Sequence, residues 1–154
     1  VPGTATHSLI DPDALTRRFE DIYRESMHDL PIVNAALDVE AIGFRDFGGH
    51  SLGVLVTPWF MNLILLPADA TWANIAGGDT VPIELPSGKL EMTVTHDERL
   101  GVYLSAVLFR STSDISEQAL ARDIALEIMR DLFVEAPRGR PLSRRELFTG
   151  RQSS

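Results

Sequence analysis

The chain has 154 residues, 44% of them apolar, no cysteine, and a formal net charge of −8. That length suits one domain with an ordinary core, and the missing thiols exclude disulfides, thiolate metal sites, iron–sulfur clusters and a cysteine nucleophile. A mean hydropathy of +0.02, with 7 Phe, 2 Trp and 2 Tyr, argues against both a membrane-embedded and a disordered chain.

The longest apolar stretch, Val54 to Ala68, is broken by Thr57, Pro58, Asn62 and Pro67 and falls short of the roughly 20 residues needed to span a bilayer. The start, Val1-Pro2-Gly3-Thr4, has no basic region leading into an apolar run, so no secretory signal and a cytoplasmic location are expected. His7, His28, His50 and His96 are scattered and have no HExxH context, so no metal site is expected. Charge is divided unevenly along the chain. Residues 1–137 carry 9 basic and 21 acidic side chains, a net −12, whereas residues 138–154 carry 5 and 1, a net +4. An acidic body repels nucleic acid and anionic lipid and attracts basic peptides.

Asp11-Pro12-Asp13 combines an N-cap residue, a proline for the first helical turn and an acid beside it, which predicts a helix start. Leu15, Phe19, Ile22, Tyr23, Met27 and Leu30 follow at helical spacing, and Pro31 is the expected stop. Leu37 to Phe47 reads as a strand in which Leu37, Val39 and Ala41 alternate with Asp38 and Glu40. Gly48-Gly49-His50-Ser51 is turn chemistry, and Leu52 to Thr57 is the partner strand of a hairpin. Phe60 to Leu66, apolar on both faces between Pro58 and Pro67, predicts a central strand.

Residues 67–89 hold Gly77-Gly78, Asp79 and Pro86-Ser87-Gly88 and are expected to be mostly loop. Lys89 to His96 and Val102 to Phe109 read as a second hairpin. Asp114-Ile115-Ser116-Glu117 has the spacing of a capping box. After it, Leu120, Ile124, Ile128 and Leu132, flanked by Ala121, Ala125 and Phe133, predict a long helix. The order describes an α+β protein: an antiparallel sheet of about five strands covered on one face by the N- and C-terminal helices. Residues 1–137 are expected to form this single domain, and residues 138–154 a basic, flexible tail in which apolar periodicity stops.

Catalytic patterns are weak. His96 with Asp97 or Ser105 lacks a GxSxG elbow, and Gly48-Gly49 and Gly77-Gly78 lack phosphate-loop spacing. No catalytic residue and no cofactor is expected, and a binding role is favoured over an enzyme. Thr57-Pro58-Trp59-Phe60-Met61-Asn62-Leu63 is the most distinctive segment; its aromatic pair suits either a core plug or an apolar anchor for a partner. Asn62 in an apolar run is expected to tie the backbone locally or to face a polar ligand. Pro58, Trp59, Phe60 and Asn62, with Asp38 and Glu40 from the first strand, are the candidate partner-binding residues.

Val39 to Phe44, followed by Leu52-Gly-Val-Leu-Val-Thr-Pro-Trp-Phe-Met-Asn-Leu-Ile-Leu-Leu-Pro67, resembles the HybE-type (HybE/HupJ/HoxT) nickel–iron hydrogenase assembly chaperones. Pro86-Ser87-Gly88, the Gly101-Val-Tyr-Leu-Ser region ending in Leu108-Phe109, and the terminal Ser-Arg-Arg fit the same pattern, so the resemblance covers most of residues 13–150. It implies an accessory protein for maturation of a membrane-bound uptake hydrogenase, one that holds the precursor through the twin-arginine signal of its small subunit. The other binding role it leaves open is an adaptor that grips the large subunit or bridges the two. Some relatives carry a fused four-cysteine rubredoxin domain, which this cysteine-free chain lacks. An acidic body suits an arginine-pair peptide, since guanidinium groups bond carboxylates in pairs. The tail's own Ser143, Arg144, Arg145, Leu147 and Phe148 resemble that signal motif, which makes the tail a candidate mimic of the client.

Overall fold

A computed structural model describes residues 10–135. Helix α1 (Pro12–Ile22) starts where the sequence predicts: the Asp11 carboxylate accepts the Ala14 amide at 2.8 Å, and Pro12 sits in the first turn, where a missing N–H removes no helical bond. The chain continues through five residues of π-helix, Tyr23–Met27, and leaves the helix at His28, before Pro31.

Strands β1 (Glu40–Phe47), β2 (His50–Val56), β3 (Met61–Leu66), β4 (Thr80–Leu85), β5 (Gly88–Asp97) and β6 (Gly101–Phe109) form one sheet in the order β1-β2-β3-β6-β5-β4. Every neighbouring pair is antiparallel. Gly48 and Gly49 make the β1–β2 turn with φ of 60° and 91°, values that a side chain would strain. Helix α2 (Gln118–Leu132) closes the fold. No helix among the described residues is long and apolar enough to cross a membrane.

The chain has the expected α+β class and antiparallel sheet, with two differences. The sheet has six strands, not about five, because β4 lies in the segment expected to be loop. Pro82 sits in the middle of β4, paired with Glu91, and a proline is tolerated there because β4 is an edge strand. The two helices also cover opposite faces of the sheet, not one. Leu52, Val54, Val56, Met61, Leu63 and Leu65 pack with Ala121, Ala125, Ile128 and Leu132 of α2. The alternate residues Leu55, Ile64 and Leu66, with Tyr103, pack with Leu15 and Phe19 of α1. Strand side chains alternate between faces, and β2 and β3 are apolar on both, so each face needs its own cover.

Two local differences follow from packing. The capping box does not form: Glu117 is the N-cap of α2 and makes no side-chain cap bond. Leu120 stays 40% exposed, and the buried face of α2 is Ala121, Ala125, Ile128, Met129 and Leu132. Small alanines let this helix approach the sheet closely. On the other face, a Cβ added to Gly53 would fall 2.3 Å from the Phe44 ring and 2.8 Å from its Cα, so glycine is required there by contact between strands β1 and β2.

Candidate functional site

The turn between β2 and β3 is built by Thr57. Its buried hydroxyl accepts the amides of Trp59 at 3.1 Å and Phe60 at 2.9 Å, and its own amide donates to the Phe60 carbonyl at 2.9 Å. Thr112, also buried, donates its hydroxyl to the Thr57 carbonyl at 3.2 Å. Pro58 and Trp59 are thereby fixed at one end of the sheet.

Trp59 is half-buried, part of it packed in the core and part of it open to solvent. Its indole lies parallel to the Tyr23 ring, centroids 6.3 Å apart and planes within 9°, and it meets Phe60 edge-on at 5.7 Å. Phe60 in turn meets Phe19 of α1 at 5.7 Å. One side of the aromatic pair therefore belongs to the core under α1, and Trp59 also lines an open groove.

The loop before β1 is held against this turn by a residue that no sequence motif singles out. Asn34 donates its amide to the Pro58 carbonyl at 2.7 Å. Its Nδ2 donates to the carbonyls of Thr112 at 2.7 Å and Ile115 at 2.8 Å, and its Oδ1 accepts the Ala36 amide at 3.0 Å. The chief partners lie 78 and 81 residues away in sequence, so no local pattern could have revealed them.

Two grooves flank this loop and share Ala35. The first, about 440 Å³, is lined by Glu20, Tyr23, Leu37, Asp38, Val39 and Pro58. The carboxylates of Glu20 and Asp38 are exposed and have no ion-pair partner among the described residues, while Arg24 on the same wall is paired with Asp21. The second groove, about 510 Å³, is lined by Pro31, Ile32, Val33, Trp59, Arg110 and Ser113. Ile32 is 58% exposed, and Leu30 beside it 41%. One groove thus sets two carboxylates beside apolar side chains, and its neighbour sets apolar side chains beside Arg110, Ser111 and Ser113.

The remaining candidates lie elsewhere. Glu40 is engaged inside the protein: it accepts Nε and a terminal nitrogen of Arg122, each at 3.0 Å, and Nε2 of Gln118 at 2.7 Å. Burial would raise its carboxyl, but the bonds from Arg122 and Gln118 hold it below its ordinary value. Asn62, on the α1 face of β3 opposite Leu55 and Val107, does not make the expected backbone tie through Oδ1; that atom is buried without a partner. Ser143, Arg144, Arg145, Leu147 and Phe148, and the boundary at residue 137, lie outside the described residues.

Elsewhere the titratable groups serve the fold. The His96 Nε2 lies 2.7 Å from the Ile75 carbonyl, and His50 Nδ1 accepts the Ala68 amide at 2.9 Å. Arg18 of α1 meets Asp97 at the β5–β6 turn at 3.1 Å, both largely covered. Burial beside this pair, with the charge of Asp97, pushes the Tyr103 hydroxyl up to about 12.

Known proteins resemble this chain over most of its length. HupJ of Bradyrhizobium diazoefficiens, a hydrogenase expression/formation protein, is 38% identical over 87% of this chain and 78% of its own. HoxT of Azotobacter vinelandii, described in the same words, is 44% identical over 79% and 84%. The "Probable rubredoxin HupJ" of Rhodobacter capsulatus is 42% identical over 78% of this chain, which spans only 44% of that longer protein. The solution structure of HybE from Escherichia coli superposes with a TM-score of 0.66 at 25% identity, covering 88% of this chain and 82% of that one. The family model for NiFe-hydrogenase assembly chaperone HybE matches residues 11–150, and the chain belongs to that family.

Proposed function

We propose that this chaperone acts in the cytoplasm on the precursor of a membrane-bound nickel–iron uptake hydrogenase, holding the twin-arginine signal of its small subunit until assembly is complete. The observation that carries this reading is the pairing of an acidic groove at Glu20 and Asp38 with an apolar groove at Ile32 and Trp59. A signal of that class presents two arginines followed by an apolar segment. Carboxylates bond guanidinium in charge-assisted pairs, and a half-buried indole is a strong apolar anchor. The net −12 of residues 1–137 adds a long-range attraction that salt weakens.

Titration of the full chain with a synthetic signal peptide and with its Lys-Lys variant, followed by chemical-shift mapping, tests the reading. Shifts should centre on residues 31–39 and 58–60, and the Lys-Lys peptide should bind more weakly. Shifts confined to other surfaces would refute this placement. A second reading, an adaptor for the large subunit or a bridge between subunits, is favoured by Leu120 and Leu126, which are 40% and 42% exposed on α2. Pull-downs with separate subunits distinguish the two, since deleting the signal peptide abolishes capture only under the first.

A further inference from the structure

We infer that residues 143–148 of this same chain, Ser-Arg-Arg-Glu-Leu-Phe, occupy the paired grooves when no precursor is bound. The inference rests on the reading of those grooves as the precursor's site and adds to it a competitor that the chaperone carries itself.

The chemistry of the segment matches the chemistry of the two grooves. On one side of Ala35 stand the carboxylates of Glu20 and Asp38, and on the other the apolar wall of Ile32 and Trp59 with Arg110 at its rim. Arg144 and Arg145 supply cations for the first, Glu146 an acid for Arg110, and Leu147 and Phe148 apolar side chains for the second. Arg110 has no ion-pair partner among the described residues, so an acid at this step of the peptide meets a free cation. Part of the second groove's polar lining is engaged within the protein: Asn34 bonds Thr112, Ile115 and Ala36, and the Ser111 hydroxyl donates to that of Ser113.

Charge and reach agree. The body carries −12 and residues 138–154 carry +4. Gln118, at the start of α2, bonds the backbone of Asp38, so the acidic groove lies at that end of the helix. The 15 residues of α2 span about 22 Å. Arg144 lies nine residues beyond Glu135, enough extended chain to cover about 30 Å. The segment can therefore run back along α2 to the groove. A tether of this length supplies an effective concentration on the order of millimolar, so even a weak contact competes within one chain.

The test compares the full chain with its Arg144→Ala/Arg145→Ala variant, which leaves residues 10–135 untouched. A synthetic twin-arginine signal peptide is titrated into each by calorimetry, and a synthetic peptide of residues 138–154 is then added in trans. The variant should bind the signal peptide several-fold more tightly at moderate salt, and the added tail peptide should displace it. Equal affinity for chain and variant overturns self-occupancy while leaving the proposed function intact. A signal peptide that binds neither protein, with the tail peptide binding the variant, does the reverse: it refutes the precursor site and keeps the tail's. Tail-dependent dimerisation, read by sedimentation, would place the segment in a second copy and overturn occupancy within one chain.

Discussion

The Asn34 amide donates to the Pro58 carbonyl at 2.7 Å, which joins the loop after the first helix to the turn between β2 and β3. The Asn34 side chain extends the link to Thr112 and Ile115 before α2. Because Ala35, the next residue, walls both grooves, this junction sets the shape of the candidate site.

Asn34→Ala removes the donor from two carbonyls and should cost about 1–3 kcal/mol, the penalty for part-buried groups left unpaired. The measurement is urea unfolding of the two proteins. Asn34→Asp should be at least as damaging, since it puts acceptors where Nδ2 now donates. Native-like stability in both variants would mean that water replaces the lost bonds and that the loop is held by other contacts.

Gly53→Ala should destabilise by about 1–3 kcal/mol through overpacking. Part of the clash is with the Phe44 ring at 2.3 Å, but part is with its Cα at 2.8 Å. Adding Phe44→Leu should therefore restore only some of the loss in thermal unfolding. Full rescue would show that the backbone contact yields.

What the sequence made legible was what neighbouring residues decide among themselves. Asp11-Pro12 marked the start of α1, and Gly48-Gly49 the β1–β2 turn, because capping and positive φ act within a few residues. β4 was hidden because Pro82 breaks the strand signal everywhere except at a sheet edge, and edge position is a property of the whole fold. The run from Met61 to Leu66, apolar on both faces, held the information that the helices must divide between the faces, and the expectation of one covered face overlooked it. Asp38 and Glu40 look equivalent in a strand pattern. Only their partners separate them, Glu40 closed onto Arg122 and Asp38 open to the groove.

That separation predicts opposite phenotypes. Asp38→Asn should weaken binding of a twin-arginine peptide by about two- to fivefold at low salt, the scale of an exposed ion pair, and the effect should shrink as salt rises. Glu40→Gln should leave peptide affinity unchanged and instead lower thermal stability, because it removes the charge that ties β1 to α2. Calorimetric titration and melting of both variants decide the matter; a loss of affinity in Glu40→Gln alone would reverse the assignment.

Asp97 makes a pH-dependent contribution to folding. Burial pushes its carboxyl upward, but the amides of Leu100 and Arg99 and the Arg18 guanidinium outweigh burial and hold it below its ordinary value of 3.8. A carboxyl lowered by folding contributes stability that is complete above 3.8 and lost as pH falls through the lower folded value. Asp97→Asn keeps the acceptor for the turn amides and loses the charge, so it should be less stable by about 1 kcal/mol at pH 7. The difference should shrink as pH falls below 3.8 and vanish once the folded carboxyl is protonated. In urea unfolding, a gap that persists unchanged at a pH where the folded Asp97 is protonated would assign the loss to something other than ionisation.

Trp59 offers a direct optical readout of occupancy, because the protein has one other tryptophan, Trp72, which packs 4.8 Å from the His50 ring and lines neither groove beside Ala35. In a Trp72→Phe background the emission comes from an indole that stacks on Tyr23, meets Phe60 edge-on and lines the open groove. A signal peptide that fills the apolar groove displaces water from that indole, so emission should move to shorter wavelength and saturate with the calorimetric isotherm. Trp59→Ala removes an anchor of the kind that dominates peptide interfaces and should weaken binding by about tenfold, near 1.4 kcal/mol. In the single variant Trp59→Ala, which keeps Trp72, the emission should not respond to peptide at all. Tight binding with silent Trp59 emission would separate peptide capture from the Pro58–Trp59 turn and move the site to another face of the protein.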